Sequence, residues 1–173
     1  MKRELLILRH GKSDWNKPVD DFHRPLKKRG RKNATRIGVW MRAQGIIPDI
    51  IVSSPAVRAE ETARLAAEAM HFSEKNIVKE PAIYEAGWNE LLQIVRSLPK
   101  TAGRVLLVGH NTGIDDFVLF LSEGKVAIPP DGKLMPTAAL ARFSVAGAWR
   151  KIDPRRTRLI GIVRPRQLAS DGR

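Results

Sequence analysis

Three short apolar runs constrain this chain more than any other feature: Leu5–Leu8 in LLILRHG, Ile50–Val52 in DIIVSSP and Val105–Val108 in VLLVGHN. Each is too brief for a helix of its own. Each is also unbroken rather than alternating, which is the pattern of a strand buried on both faces of a sheet. The runs end abruptly, on Arg9-His10-Gly11, Ser53-Ser54-Pro55 and Gly109-His110-Asn111. Side chains at such positions emerge at the edge of a sheet, where open α/β folds build their binding sites. Alone, LRHG could equally be a charged turn.

The segments between the runs have helical character. From about Leu26 to Gln44 the spacing sets Ala34, Ile37, Gly38 and Met41 on one face, with Gly45 as the stop. Pro55 suits the first turn of a second helix, AVRAEETARLAAEAM, which should run to about Met70. A short strand is expected near Ile77–Lys79 and a helix over NELLQIVRSL; Ile114, Phe117, Val118 and Leu121 mark another that ends near Gly124. Residues 9–25 read as a long, polar, functional loop. Strands alternating with helices specify an α/β fold: a mainly parallel central sheet with helices on both faces. After the loop KVAIPPDGKLMP, the stretches ALARFSV, AWRKI and RLIGIV read as strands. The first two are expected to form an antiparallel hairpin through Ala146-Gly147, a C-terminal extension of the sheet. No repeat or linker is visible, so residues 1–173 are read as one domain with a basic C-terminal tail from about residue 164.

Composition removes several kinds of chemistry. The 173 residues include no cysteine, hence no disulfide framework, thiolate nucleophile or cysteine-ligated metal. The apolar run near the N-terminus is too short for a signal peptide or a membrane span, so the expectation is a cytoplasmic protein away from the membrane. The 31 Lys+Arg against 18 Asp+Glu give a formal charge of +13, concentrated in RPLKKRGRKNATR and from Arg150 to Arg173. Such a field attracts acidic proteins, phosphorylated substrates or nucleic acid. Most of these cations read as a solvated helix face. Arg29, Arg31 and Lys32 follow Arg24 closely enough to border a pocket mouth and to steer an acidic protein.

In a parallel sheet the carboxyl ends of the strands share one edge, so His10 and His110 converge across a hundred positions. Arg58 lies in the first turn of the helix after the second run, where free amides and the helix dipole face any anion. With Arg9 the group suits a dianion, and a tetrahedral phosphoryl group fits because arginine forks hold two oxygens at once. A neutral imidazole at His10 is a competent nucleophile near pH 7, and clustered arginines favour that neutral form. Asp115-Asp116 reads as a helix-dipole pair, and His23 and His71 as surface residues. Trp15, Trp40, Trp88 and Trp149 read mostly as core or half-buried positions.

The Arg9-His10-Gly11 segment, SSPAVRAEETA with Arg58, and VGHN with His110 together resemble the histidine phosphatase superfamily. The short length, DFHRPLKKRG and LMPTAAL make the chain similar to its SixA-type phosphohistidine phosphatase branch. The resemblance implies that His10 is the nucleophile and carries a transient phosphohistidine. It implies that Arg9, Arg58 and His110 hold the phosphoryl oxygens and that Arg24 is a further pocket arginine. No metal or cofactor is expected. Ser13 and Asn16 are candidates to touch phosphate. Phosphoester-cleaving relatives use a carboxylic acid for the leaving oxygen; Asp21 and Glu85 are the candidates here, and a surface role suits each as well. A weak acid motif favours phosphohistidine, whose ring leaves as neutral imidazole. The expected substrate is therefore a phosphorylated signalling protein such as a histidine-containing phosphotransfer protein. The alternatives are small phosphoesters on the same pocket, or a nucleic-acid-binding module with a vestigial pocket, the latter disfavoured because both histidines and the pocket arginines are intact.

Overall fold

In the computed structural model, which describes residues 1–168, the strands are β1 (Arg3–Arg9), β2 (Ile50–Ser53), β3 (Ile77–Lys79), β4 (Arg104–Gly109), β5 (Leu140–Val145) and β6 (Thr157–Val163). They form one six-stranded sheet in the order β3-β2-β4-β1-β5-β6. The first four run parallel, whereas β5 and β6 are antiparallel additions beside β1. The helices are α1 (Lys28–Ala43), α2 (Val57–Met70), α3 (Trp88–Arg96), α4 (Gly113–Leu121) and the short α5 (Pro165–Leu168).

The unbroken apolar runs are explained by the two cores. Leu5, Ile7, Val105 and Leu107 face one way and pack with Leu91, Val95, Phe117 and Val118 of α3 and α4. Leu6, Leu8, Leu106 and Val108 face the other way, onto Ile37 and Met41 of α1 and the alanines Ala59, Ala63, Ala66 and Ala67 of α2. Every residue of β1 and β4 between these helix layers is needed as an apolar side chain, so no polar alternation remains. Among the described residues no helix is long and apolar enough to cross a membrane.

One expectation is corrected. The stretch AWRKI is not a strand. Trp149–Lys151 is a single 3₁₀ turn, with the Trp149 ring buried and its Nε1 donating to the Ala102 carbonyl at 2.8 Å. Burying the indole turns the chain out of the sheet, and Pro154 opens another 3₁₀ turn. The hairpin partner of β5 is therefore β6, with Val145 opposite Thr157 and Leu140 opposite Val163. At the start of the stretch expected as a basic tail, from about 164, the chain is held against the domain. Arg164 donates to the Leu134 carbonyl at 2.9 Å, Pro165 is buried, and Leu168 packs against the α1–α2 core. Residues 169–173 of that stretch lie outside the described residues. The first helix also begins at Lys28, because Leu26 is taken into a bridge with Ser13.

Candidate active site

Register brings the two histidines together. Arg9 pairs with Gly109 at the last rung between β1 and β4, and His10 and His110 are the next residues of each strand. Their rings lie 5.2 Å apart. β2 ends one strand further along, and its continuation supplies Ser54 and, in the first turn of α2, Arg58. The resulting cleft of about 390 Å³ is lined by Arg9, His10, Lys12, Ser13, Trp15, Asp21, Arg24, Arg58, Tyr84, Glu85, His110, Asn111 and Thr137. A larger depression, of about 590 Å³, is lined by Leu119, Phe120, Glu123, Asp153, Pro154 and Arg155, with no histidine among them.

His10 is held in one tautomer. Its Nδ1 lies 2.7 Å from the Gly11 carbonyl, which can only accept, so Nδ1 carries the proton and Nε2 keeps its lone pair. Burial pushes its pKa down to about 3, with His110, Arg58 and Arg9 adding repulsion, so the ring is neutral at physiological pH. The turn below it requires glycine. A Cβ on Gly11 would lie 2.7 Å from the Gly30 carbonyl oxygen, and one on Gly30 would lie 2.2 Å from that of Lys12. The start of α1 thus presses directly on the segment that follows His10. The Gly11 amide is fixed as well, donating to Thr62 Oγ1 at 3.0 Å, and that hydroxyl donates to the Arg58 carbonyl at 2.6 Å.

His110 is arranged the opposite way. Ser54 is fully buried, its Oγ accepts from the Ala56 amide at 3.2 Å, and it sits 2.8 Å from His110 Nε2. Ser54 Oγ and His110 Nε2 thus share a hydrogen bond, while His110 Nδ1 is buried and unpartnered. Burial, then Arg58, pushes the His110 pKa down to about 4. The two rings are thus anchored through different nitrogens, His10 through Nδ1 and His110 through Nε2.

Arginines line the rest. Arg9 Nη1 donates to the Met135 carbonyl at 3.0 Å, and the Met135 amide in turn donates to Asp115 Oδ1 at 3.2 Å. Asp115 therefore does more than favour a helix dipole: it anchors the LMPT segment that supports Arg9. Arg24 donates through Nε to Ser13 Oγ at 3.1 Å, and its guanidinium carbon sits over the Trp15 ring, 3.6 Å from the ring centre. Ser13 therefore acts on Arg24. Asn16 is not in this cleft; it lines a neighbouring groove and is exposed.

Asp21 is the hub of the outer wall. Its carboxylate meets Arg24 Nη2 at 2.8 Å and Arg58 Nη2 at 3.0 Å, and accepts from Tyr84 OH at 2.6 Å. These donors, Tyr84 foremost, pull its pKa down to about 2, and the same bond pushes Tyr84 up to about 12. A carboxyl held ionised by three donors is a poor proton source at neutral pH, which weighs against Asp21 as the general acid. Glu85 lines the cleft and is exposed. Tyr84, Ser54 and Thr62 escaped the sequence reading. Tyr84 is the chain's only tyrosine, and SSP before a helix was a cue for Ser54, but the partner of each comes from a distant segment.

Residues 5–104 match the family model of the histidine phosphatase superfamily (branch 1), and the chain belongs to that family. It is a phosphatase, with the fold of the SixA phosphohistidine phosphatases among its structural neighbours. A protein described as phosphohistidine phosphatase SixA from Nakamurella multipartitia superposes with a TM-score of 0.82 at 25% identity, over 95% of this chain and 97% of that one. The protein histidine phosphatase SixA complexed with tungstate superposes with a TM-score of 0.79 at 18% identity, over 95% and 99%. In sequence, an uncharacterized chloroplast protein of Arabidopsis thaliana is 29% identical over 95% of this chain and 79% of its own length. A 2,3-bisphosphoglycerate-dependent phosphoglycerate mutase of Bartonella henselae is 33% identical over 53% of this chain and 46% of its own. The alternative of a nucleic-acid-binding module with a vestigial pocket is set aside by these findings.

Proposed function

We propose that the protein removes the phosphoryl group from phosphohistidine in a signalling protein, through a covalent intermediate on His10. The observation that carries this reading is a lone pair at His10 Nε2, on a ring whose centre lies 5.2 Å from that of His110 and which is flanked by Arg9 and Arg58.

His10 Nε2 attacks phosphorus, and the bond to the substrate's ring nitrogen breaks. When the distal nitrogen of that ring is protonated, the ring takes the bonding pair and leaves as neutral imidazole. No carboxylic acid is needed, which suits a cleft whose central carboxyl is locked as an anion. Arg9, Arg58 and His110 hold the equatorial oxygens, and Arg24 closes the outer side. Water then attacks the phosphorus on His10. The nitrogen–phosphorus bond breaks, the ring regains its lone pair, and both protons of the water depart on dihydrogen phosphate. A small phosphoester would instead need a proton on its leaving oxygen, and Glu85 is the carboxyl at the cleft available for that second reading.

The test is phosphate release from a phosphorylated histidine-containing phosphotransfer protein against a panel of phosphometabolites, with wild type and His10→Ala. Release from the phosphoprotein by wild type alone is expected. Turnover confined to phosphoesters, or persisting in His10→Ala, overturns the reading.

A further inference from the structure

The cleft has a second compartment behind its wall. The segments around Ser13 and Leu26 form a two-stranded ribbon: Asp14 N donates to the Pro25 carbonyl and Lys27 N to that of Lys12, both at 2.8 Å, around the Ser13–Leu26 bridge. Side chains of extended backbone alternate between faces. Ser13, Trp15 and Arg24 accordingly face the cleft. Asp14, Asn16 and Pro25 face a separate groove of about 450 Å³ that ends on the first turn of α1.

The groove is strongly cationic. Lys17, Lys27, Lys28, Arg29 and Arg31 line it against the single carboxylate of Asp14. Arg31 is engaged by Glu61, but among the described residues Lys17, Lys27, Lys28 and Arg29 have no acidic partner. The first turn of α1 contains no acidic residue, and no side chain caps its amides. Cations without counter-charge, grouped at a positive helix end, are costly to assemble unless an anion visits them.

On the reading given under Proposed function, we propose that this groove docks an acidic segment, a run of Asp and Glu side chains, of the protein whose phosphohistidine enters the cleft. The ribbon puts the two occupants back to back, on the order of 10 Å apart, the separation of two packed backbone layers. A second copy of this chain is a poor occupant, because each copy carries a formal charge of +13. Nucleic acid is a poorer fit than a carboxylate run, because no aromatic side chain lines the groove to stack a base.

The experiment uses Lys17→Glu/Lys27→Glu/Lys28→Glu. Two of these changes put acids at a helix start, where they are favourable, so the variant should fold. On an acidic phosphohistidine protein, kcat/KM should fall about ten-fold or more, mostly through KM, and the gap should close at high salt. Turnover of p-nitrophenyl phosphate should stay within about three-fold, because a small ester needs only the cleft. Independently, a fluorescent oligoglutamate peptide without phosphate should bind wild type and not the variant. Equal losses on both substrates, unchanged protein turnover, or loss of binding to a short RNA but not to the peptide would each overturn the docking proposal. If the peptide result holds while wild type releases no phosphate from the phosphoprotein, the substrate reading fails and the groove's acidic preference stands. If the phosphoprotein is turned over but the peptide is ignored by wild type, the groove proposal fails alone.

Discussion

Asp21→Asn separates a positioning carboxylate from a catalytic acid. The substitution keeps the shape of the side chain and its backbone carbonyl, which accepts from Arg58 Nη1 at 2.6 Å. It removes the charge that meets Arg24 and Arg58 and turns one of the two accepting atoms into a donor facing a donor. A hydrogen bond to a charged group contributes about 1.5–3 kcal/mol. The Asp21 side chain is 48% exposed, so water replaces part of what is lost, whereas Arg58 at 6% cannot be rescued in that way. A net loss of about 2–3 kcal/mol follows, which lowers Tm by roughly 5–10 °C in a chain of this size. The assay has an internal reporter, because Tyr84 is the only tyrosine. Its hydroxyl, pushed up to about 12 mainly by Asp21, should ionise nearer its ordinary value of about 10 in the variant, read as tyrosinate absorbance. A displaced Arg58 and Arg24 should cost roughly 10–100-fold in kcat/KM. As a positioning residue, Asp21 should give the same loss for p-nitrophenyl phosphate and for an alkyl phosphate. A loss confined to the alkyl phosphate, with tyrosinate appearing at the same pH in both proteins, would refute the argument and restore Asp21 as the acid.

Gly30→Ala places a Cβ 2.2 Å from the Lys12 carbonyl oxygen, backbone against backbone, so α1 must back away from the segment after His10. Overpacking of this kind costs about 1–3 kcal/mol or more, and thermal melts together with phosphatase assays should show both stability and turnover falling. A melt and an activity indistinguishable from wild type would remove the claim that this contact positions His10. The second prediction is a pH dependence. His10 and His110 have folded pKa values near 3 and 4, below the ordinary 6.5, so between those values the unfolded chain binds protons that the folded one refuses. That stability is complete above about 6.5 and is lost as pH falls toward 4, so Tm should drop steadily over this range. In His10→Asn the drop should be shallower; an identical slope would mean that His10 titrates normally.

The sequence carried the sheet because each parallel strand is buried on both faces, which leaves an unbroken apolar run and a polar stop. It carried the convergence of Arg9, His10 and His110 for the same reason: the stops sit at the strand ends, and parallel register then aligns them, while Arg58 follows from the helix start after β2. AWRKI failed because an apolar residue followed by alternation describes a strand and equally a turn pinned by one large ring. Only the Ala102 carbonyl, 47 positions away, decides in favour of the turn. Asp21 was visible as a carboxylate, but not as one clamped by Arg24, Arg58 and Tyr84. Two of those partners are 37 and 63 positions distant, and no local pattern encodes a charge network assembled by tertiary structure. The groove beside the cleft was legible as charge but not as a compartment, because the two faces of the ribbon emerge only once Ser13 and Leu26 are paired.

The electrostatics of the cleft explain how two neutral histidines persist among arginines. Four cationic side chains, Arg9, Lys12, Arg24 and Arg58, face two acidic ones, Asp21 and Glu85. The excess of two positive charges matches a phosphoryl dianion and penalises any further cation. Protonating His10 or His110 would add that cation in a place where burial already opposes it, so the arginines of the cleft also help keep the His10 lone pair. Asp21 makes this workable by neutralising Arg24 and Arg58 at the rim, where it is half exposed and cheap to keep charged. The same balance explains why the leaving group matters. A departing imidazole is neutral and leaves the charge count unchanged, whereas a departing alkoxide would put a third negative charge into a site matched to two. Under the proposed function, a cleft balanced in this way moves a phosphoryl group between imidazoles with little electrostatic reorganisation, and calls on a donor such as Glu85 only when the leaving atom is oxygen.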